Sequence, residues 1–541
     1  MWRIRTAVIL CVWCCSVQVS CQVAVLRVSG GGAAGAQKAY CLVFNSSWTP
    51  LPESLSDAVP YNLVNLTSSD LCSARELPPL DLRNKAVVVM RGNCSFSAKA
   101  LNAQSLGAKA ILIASTKDIS TPSANSTEYG KVNISLALIR YKDVLDAQET
   151  LGNNISVRLY APPEPVFDAS IVVLLLIGVL TVALGGYWSG AEERNKMSSE
   201  AYLGEGGQRA ESGDVFLYSP AKVVVFVILM CLMLVLLYFF YAYLVYVIIA
   251  IFCLASAVAL YSCLDVLVRR LPCGRCSFTC RGKECSVISL LLAAFCVAVA
   301  VIWVIYRNED RWIWTLQDLL GIAFCLNFMK TISVSNFKIC VILLSLLLLY
   351  DVFFVFITPF FTPNGESIMV QVALGPETTG EKSDGNMVDI PVEPTGHSEK
   401  LPVVMRVPRF FSPTQGLCGL QFSILGYGDI IVPGLLVAYC HRFDVWTNSP
   451  KRIYFLSCTI AYLVGMIVTF TVMIVSKMGQ PALLYLVPFT LLTSAVVAWR
   501  RKQMRQFWAG TTYEVLDSTR EPLLPVFKDG EPEYSNGGRK C

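Results

Sequence analysis

The chain has 541 residues, 54% of them hydrophobic and only 15% charged, with a mean hydropathy of +0.54. A composition that apolar excludes an ordinary soluble protein and calls for several segments in lipid. A net charge of +5 on this length gives no case for nucleic-acid binding. The 21 cysteines lie mostly in apolar runs, where a thiol behaves as a small hydrophobe, and do not form a disulfide framework.

Residues 1–21, "MWRIRTAVILCVWCCSVQVSC", set two arginines before a short apolar core and end on small residues, the layout of a cleaved secretory signal. The segment that follows, 22–165, is therefore expected in the lumen. Six N-x-S/T sequons, at Asn45, Asn65, Asn93, Asn125, Asn133 and Asn154, all fall within it and agree with glycosylation there. Runs such as "KAVVVM" and "AKAILIAS" between Asn, Ser, Gly and Pro clusters predict an α/β or mostly-β unit. It holds Cys41, Cys72 and Cys94, so at most one pair forms among the three and one thiol is left over. The stretch "RGNCSFSAKALNAQSLGAKAILIAS" resembles the protease-associated domain, which implies binding or docking and no catalytic machinery.

Nine apolar runs follow, at about 171–189, 220–241, 243–264, 286–306, 312–329, 339–361, 416–440, 453–475 and 481–499. Most reach the length of about 20 residues that a spanning helix needs. Short loops expected on the cytosolic side hold 13 Lys or Arg against 3 on the luminal side, which puts the N-terminus in the lumen and the tail, 501–541, in the cytosol. The fold class is thus a polytopic α-helical membrane protein of nine transmembrane helices, spanning 166–500, behind an N-terminal luminal α/β domain. One inter-span loop is long, 362–415, with a polar middle and two ends, "SIMVQVAL" and "LPVVMRVP", that alternate as short strands do.

Two aspartates lie inside apolar runs, Asp351 in "LLLLYDVFFVF" and Asp429 in "SILGYGDIIVPGLL". A carboxylate at that depth costs several kcal/mol on the more generous scales, so each marks a functional site. Asp351 lies 13 residues beyond Lys338 and Asp429 lies 13 before Arg442, both expected at the cytosolic boundary. At about 1.5 Å per residue the two antiparallel helices bring their carboxylates to one depth. Two carboxylates in contact share a proton, which sets an acid beside a base and can activate water against a peptide carbonyl with no cofactor. The competing reading is a transporter or channel that uses the aspartates as a proton or ion pathway.

"YD" at Tyr350–Asp351, "GYGD" at Gly426–Asp429 and "QPALL" from Gln480 match in order the YD, GxGD and PAL motifs of the presenilin-type intramembrane aspartic proteases. With the luminal loop between the aspartates, the signal and the glycosylated domain, the chain resembles the signal peptide peptidase-like proteases, in particular their type-2 subgroup. The resemblance implies Asp351 and Asp429 as catalytic residues, water as the nucleophile, and support from Tyr350, Gly426, Gly428, Pro481, Ala482 and Leu483. It implies type II single-span membrane proteins as substrates, usually after ectodomain trimming. We expect the two alternating loop ends to help form a sheet that an unwound substrate joins by strand addition.

The remaining polar features carry plainer expectations. Asp318, near Arg311, is expected in a structural ion pair. Cys273, Cys276, Cys280 and Cys285 have spacing too irregular for zinc, and read as reduced or palmitoylated thiols. His397 and His441 are isolated and expected on loops. "YEVL", Tyr513 to Leu516, fits a tyrosine-based sorting signal, so late endosome or lysosome is the first expected compartment and the plasma membrane the second. Sorting adaptors, the bilayer and a second copy of the chain are the remaining candidate partners.

Overall fold

The computed structural model describes residues 22–30, 36–46, 49–72, 82–116, 130–152, 154–163, 167–203, 215–217, 220–268, 277–280, 283–309, 311–362, 367–369, 401–476 and 480–510, with 119, 122, 165 and 372. The signal segment, Asn125, Cys273, Cys276, His397 and the Tyr513–Leu516 motif lie outside the described residues.

The N-terminal unit is a closed barrel of seven strands: β1 (Gln22–Gly30), β2 (Gln37–Phe44), β3 (Tyr61–Leu66), β4 (Ala86–Met90), β5 (Ala110–Ser115), β6 (Ser135–Arg140) and β7 (Ile155–Tyr160), ordered β1-β2-β6-β5-β4-β3-β7. Helix α1 (Phe96–Ser105) connects β4 to β5, and α2 (Tyr141–Leu151) connects β6 to β7. Strands β3 to β6 run parallel, which explains why "AVVVM" and "AILIAS" are apolar without alternation. Ala86, Val88 and Leu112 pack into one cluster, while Val87, Val89, Ile111 and Ile113 pack with Ala100 and Ala103 of α1 on the opposite face.

Two disulfides correct the cysteine expectation. Cys72 pairs with Cys94 inside the barrel unit, and Cys41 of β2 pairs with Cys418, 377 residues away. No thiol of the three is left over. The sequence count failed because the partner of Cys41 lies in the inter-helix loop, beyond the segment counted.

Nine long helices follow among the described residues. They are α3 (Ala169–Leu203), α4 (Pro220–Phe239), α5 (Tyr241–Val268), α6 (Val287–Tyr306), α7 (Ile313–Thr331), α8 (Phe337–Val352), and, beyond the loop, α10 (Tyr427–Trp446), α11 (Ile453–Ser476) and α12 (Leu483–Arg500). Seven are long and apolar enough to cross a bilayer; α7 and α10, richer in polar residues, complete the nine. Short pairs β8 (Val215–Leu217) with β11 (Ile332–Val334), and β9 (Ser277–Cys280) with β10 (Lys283–Ser286), sit between helices. The hairpin places the backbones of Cys280 and Cys285 on facing strands. In the loop lie β12 (Val404–Pro408), a single turn α9 (Gln415–Cys418) and β13 (Phe422–Gly426), and α13 (Met504–Ala509) ends the described chain.

Helix α10 is the axis of the bundle, buried at every residue from Pro433 to Asp444. The expected seventh span, 416–440, is therefore misplaced. Its first residues belong to a short helical turn, Gln415–Cys418, and to β13, and the helix continues to Trp446. His441 is accordingly buried inside α10 rather than on a loop, its Nδ1 2.9 Å from the Gly186 carbonyl. Beside it the Arg442 guanidinium donates to Ser189, Ser333 and the Val334 carbonyl, tying α3 and β11 to the end of α10. The "SIMVQVAL" segment is helical at 368–369 and 372, so among the described residues only "LPVVMRVP" supplies a strand. Its partner is β13.

Candidate active site

Asp351 occupies the last turn of α8 and is buried. Immediately after it the helix widens into a π turn, Phe353–Ile357, and then tightens into a 3-10 turn, Thr358–Phe360. Pro359 cannot continue the regular ladder. The hydroxyls of Thr358 and Ser367 both donate to the Phe354 carbonyl, at 2.6 and 3.1 Å, and so satisfy backbone that the irregular turn releases.

Asp429 is the third residue of α10, three positions past the end of β13. The two aspartates interact electrostatically across the interface of α8 and α10. The Leu483 backbone N–H, at the first residue of α12, hydrogen-bonds the Asp351 carboxylate. Asp351 Oδ2 is buried with no hydrogen-bond partner among the described residues. That oxygen is left for a proton or water.

A cavity of about 60 Å³ opens on Asp429, lined by Ile424, Gly426, Met466, Phe470 and Ala482 among others, with room for a few water molecules. Pro481 and Ala482 precede α12, Ala482 as its N-cap with helical φ and ψ, and both are buried. A Cβ at Gly426 would crowd Asp429 Oδ2 at 3.2 Å, so the carboxylate would have to shift by a few tenths of an ångström. A Cβ at Gly428 would meet nothing within 4 Å, so that glycine leaves open space beside the carboxylate. Tyr350 is half-buried, its ring 4.8 Å from that of Phe354, and it makes no hydrogen bond to either aspartate among the described residues.

One supporting residue was not legible in the sequence. Pro433 stands four residues after Asp429, where the helix requires an N–H to bond the Asp429 carbonyl, and proline has none. The fully buried Tyr462 of α11 donates its hydroxyl to that carbonyl at 3.2 Å. The only advance signal was a tyrosine in an apolar helix, which needs a partner for its hydroxyl when buried.

Asp318 contradicts its expectation. It makes no pair with Arg311, whose guanidinium lies 3.8 Å from Glu309. Instead Asp318 Oδ1 accepts the backbone N–H of Arg406 in β12 at 3.0 Å, and the neighbouring Gln317 amide donates to the Val404 carbonyl at 2.9 Å. Strand β12 pairs antiparallel with β13 on its other edge, Val404 opposite Gly426 and Pro408 opposite Phe422. Bonds from Tyr427 N–H to Val403 and from Arg409 N–H to Gln421 bracket that ladder. Hydrogen-bonded pairs alternate in such a ladder. Hence Leu425 and Ser423 face β12, whereas Ile424 and Phe422 present N–H and C=O, and Gly426 its N–H, on the opposite edge. No strand covers that edge among the described residues.

Among the sequons, Asn65, Asn93, Asn133 and Asn154 are exposed, and Asn45 is half-buried with its amide donating to the Pro122 carbonyl.

Residues 211–514 match the family model described as signal peptide peptidase, and residues 59–146 match the PA domain. The chain is 50% identical to mouse "Signal peptide peptidase-like 2A" over 93% of each chain. It is 46% identical to human "Signal peptide peptidase-like 2B", over 95% of this chain and 85% of that one, and 41% identical to mouse "Signal peptide peptidase-like 2C", over 87% and 72%. The chain belongs to the signal peptide peptidase family of intramembrane aspartic proteases. In this member of the family the PA match runs from β3 into α2, within the barrel, and the match to the protease family covers α4 to α13 with the β12–β13 sheet between α8 and α10.

Proposed function

We propose that Asp351 and Asp429 are the catalytic pair of this protease, and that it cuts the transmembrane segments of type II single-span proteins after their ectodomains have been trimmed. The carrying observation is that the two aspartates, on facing helices, lie near enough to interact electrostatically, with Asp429 on a water-sized cavity and just past an uncovered strand edge. One carboxylate takes a proton from water as the oxygen attacks the scissile carbonyl, and the other, protonated, donates to the carbonyl oxygen. Return of a proton to the departing amine then breaks the C–N bond. Water is the nucleophile and no cofactor enters these steps. The Leu483 N–H holds Asp351 in place, and Gly426 leaves room for Asp429 beside the strand.

A helical substrate has its backbone hydrogen-bonded internally, so its peptide bonds must first be unwound. The free N–H and C=O of Ile424, five residues before Asp429 in the chain, offer an unwound segment new partners. The basic loops support a topology with the PA barrel and the β12–β13 sheet in the lumen and the 501–541 tail in the cytosol. In that orientation a type II substrate runs parallel to α8 and antiparallel to α10, and its cut releases a cytosolic N-terminal fragment and a luminal peptide. Residues 22–165 form the glycosylated luminal domain in this reading, and residues 513–516 direct the protein to late endosomes or lysosomes through sorting adaptors.

Asp351→Ala and Asp429→Ala should each abolish release of the cytosolic fragment from a tagged type II protein while glycosylation and trafficking stay normal. Fragment release by either variant would overturn the assignment, as would a pH-dependent ion flux that both changes remove while no peptide bond is cut by the wild type.

A further inference from the structure

We propose that Gln317 and Asp318 of α7 are positioning residues that set the register in which substrate is presented to the aspartates. The inference rests on strand addition at β13. Two consecutive side chains occupy the place of a third strand along β12: the Gln317 amide donates to the Val404 carbonyl and Asp318 accepts the Arg406 N–H. Those two backbone positions, two residues apart, are the groups that a neighbouring strand would bond. The clamp therefore covers one edge of the sheet from within the bundle and leaves the β13 edge for an incoming chain.

The same helix also holds the far side of the ladder. The Tyr427 hydroxyl donates to the Gln317 carbonyl, and its ring lies where a Cβ on Gly321 would sit, 2.1 Å from the hydroxyl oxygen. Gln317 thus fixes β12 through its side chain and the start of α10 through its backbone. Because Asp429 is only two residues past Tyr427, α7 sets the distance between the strand edge and the carboxylate.

Packing alone does not account for this pair. Both side chains are buried, and Asp318 Oδ2 has no hydrogen-bond partner among the described residues. An apolar side chain would fill the site without burying that oxygen. A strand freed from the clamp can slide, and a slip by two residues restores the same face while moving a different peptide bond to the aspartates.

The test uses the full-length protein in membranes with a tagged type II single-span protein that the wild type cuts, and reads cut positions from the masses of released fragments. Asp318→Leu and Gln317→Met should each lower the share of product at the wild-type position at least about fivefold, with new cuts two residues away. Asp318→Asn, which keeps an acceptor for the Arg406 N–H, should restore the wild-type pattern. Ile424→Pro, which removes an N–H from the free edge and none from the β12 ladder, should lower total cleavage. Wild-type cutting by Ile424→Pro would overturn strand addition itself. Impaired Ile424→Pro alongside unshifted cuts in Asp318→Leu and Gln317→Met would overturn the clamp alone. Failure of Asp318→Asn to restore the pattern would also overturn it, since charge rather than the accepted hydrogen bond would then be what matters. Gln317→Met, nearly the same volume as the wild type, gives the readout even if Asp318→Leu does not mature.

Discussion

The peptide that carries Asp429 is held from a helix other than its own. Pro433 removes the N–H that would have bonded the Asp429 carbonyl, and Tyr462 supplies a hydroxyl in its place. Removing one partner leaves a buried carbonyl unsatisfied, which costs on the order of 1 kcal/mol or more. We expect Tyr462→Phe to slow cleavage about fivefold if that loss is felt at the aspartate. Pro433→Ala restores an N–H at the fourth position, so the double variant should recover much of the loss, a coupling that a double-mutant cycle measures. Strict additivity of the two changes would show that the proline and the tyrosine do not share this carbonyl. At this scale the sequence revealed the acids, because a carboxylate in an apolar run stands out at once. It concealed their supports: Tyr462 is 33 residues from Asp429, and the Asp351 contact is a backbone N–H of Leu483 with no sequence signature. Asp318 was misread for the same reason. Arg311 is near it in sequence, but the strand that it holds lies 88 residues later.

Elements were legible where one pattern ran the whole length of a segment. The strands β4 and β5 and the apolar helices announced themselves in this way. The seventh span did not, because "FSILG" is apolar and joins "YGDIIVPGLL" without a break, and periodicity over so few residues does not separate a strand entering a helix from one long helix. The consequence is functional, since the strand is the part nearest the aspartate. Its position depends on the start of α3. Asp168 accepts N–H groups from Ser170, Phe410 and Phe411, and the Ser170 hydroxyl lies 2.7 Å from that of Ser423 in β13. Burial alone would push the Asp168 carboxyl up, but those backbone donors together hold it below the ordinary carboxylate value. A lowered folded value means that the staple contributes fully above the unfolded pKa of about 3.9 and is lost only as pH falls through the lower folded value. It should therefore survive mild acidity. Asp168→Ala removes a helix cap of about 1 kcal/mol, and the amides of Ser170, Phe410 and Phe411 should exchange faster at pH 5 and pH 7 alike. Unchanged exchange at all three would remove Asp168 from this role.

The whole molecule is joined at a point that neither domain discloses alone. Cys41 belongs to the PA barrel and Cys418 to the loop turn between the aspartate helices, with Cα atoms 5.0 Å apart. Only three residues separate Cys418 from the first residue of β13, and Asp429 follows eleven residues after Cys418. The barrel is thus bonded covalently to the strand that leads to Asp429, as well as through the chain at α3. Counting cysteines within the presumed luminal segment missed this bond because pairing follows geometry, and a separation of 377 residues carries no local mark. A second attachment changes what the barrel can do. With one link the barrel would be tied to the bundle only through the chain ahead of α3, whereas with two its orientation fixes that of the β13 edge. A protease site placed in that connection tests the bond directly. After cutting, the barrel should stay with the bundle until a reductant is added, and in Cys41→Ser it should separate without one. Cys41→Ser should also cut substrate severalfold more slowly, since Asp351 and Asp429 remain but the edge beside them is less firmly held. Separation of the cut wild type without reductant would show that the bond does not form, and full activity in Cys41→Ser would show that the barrel's second attachment is not used to hold the strand.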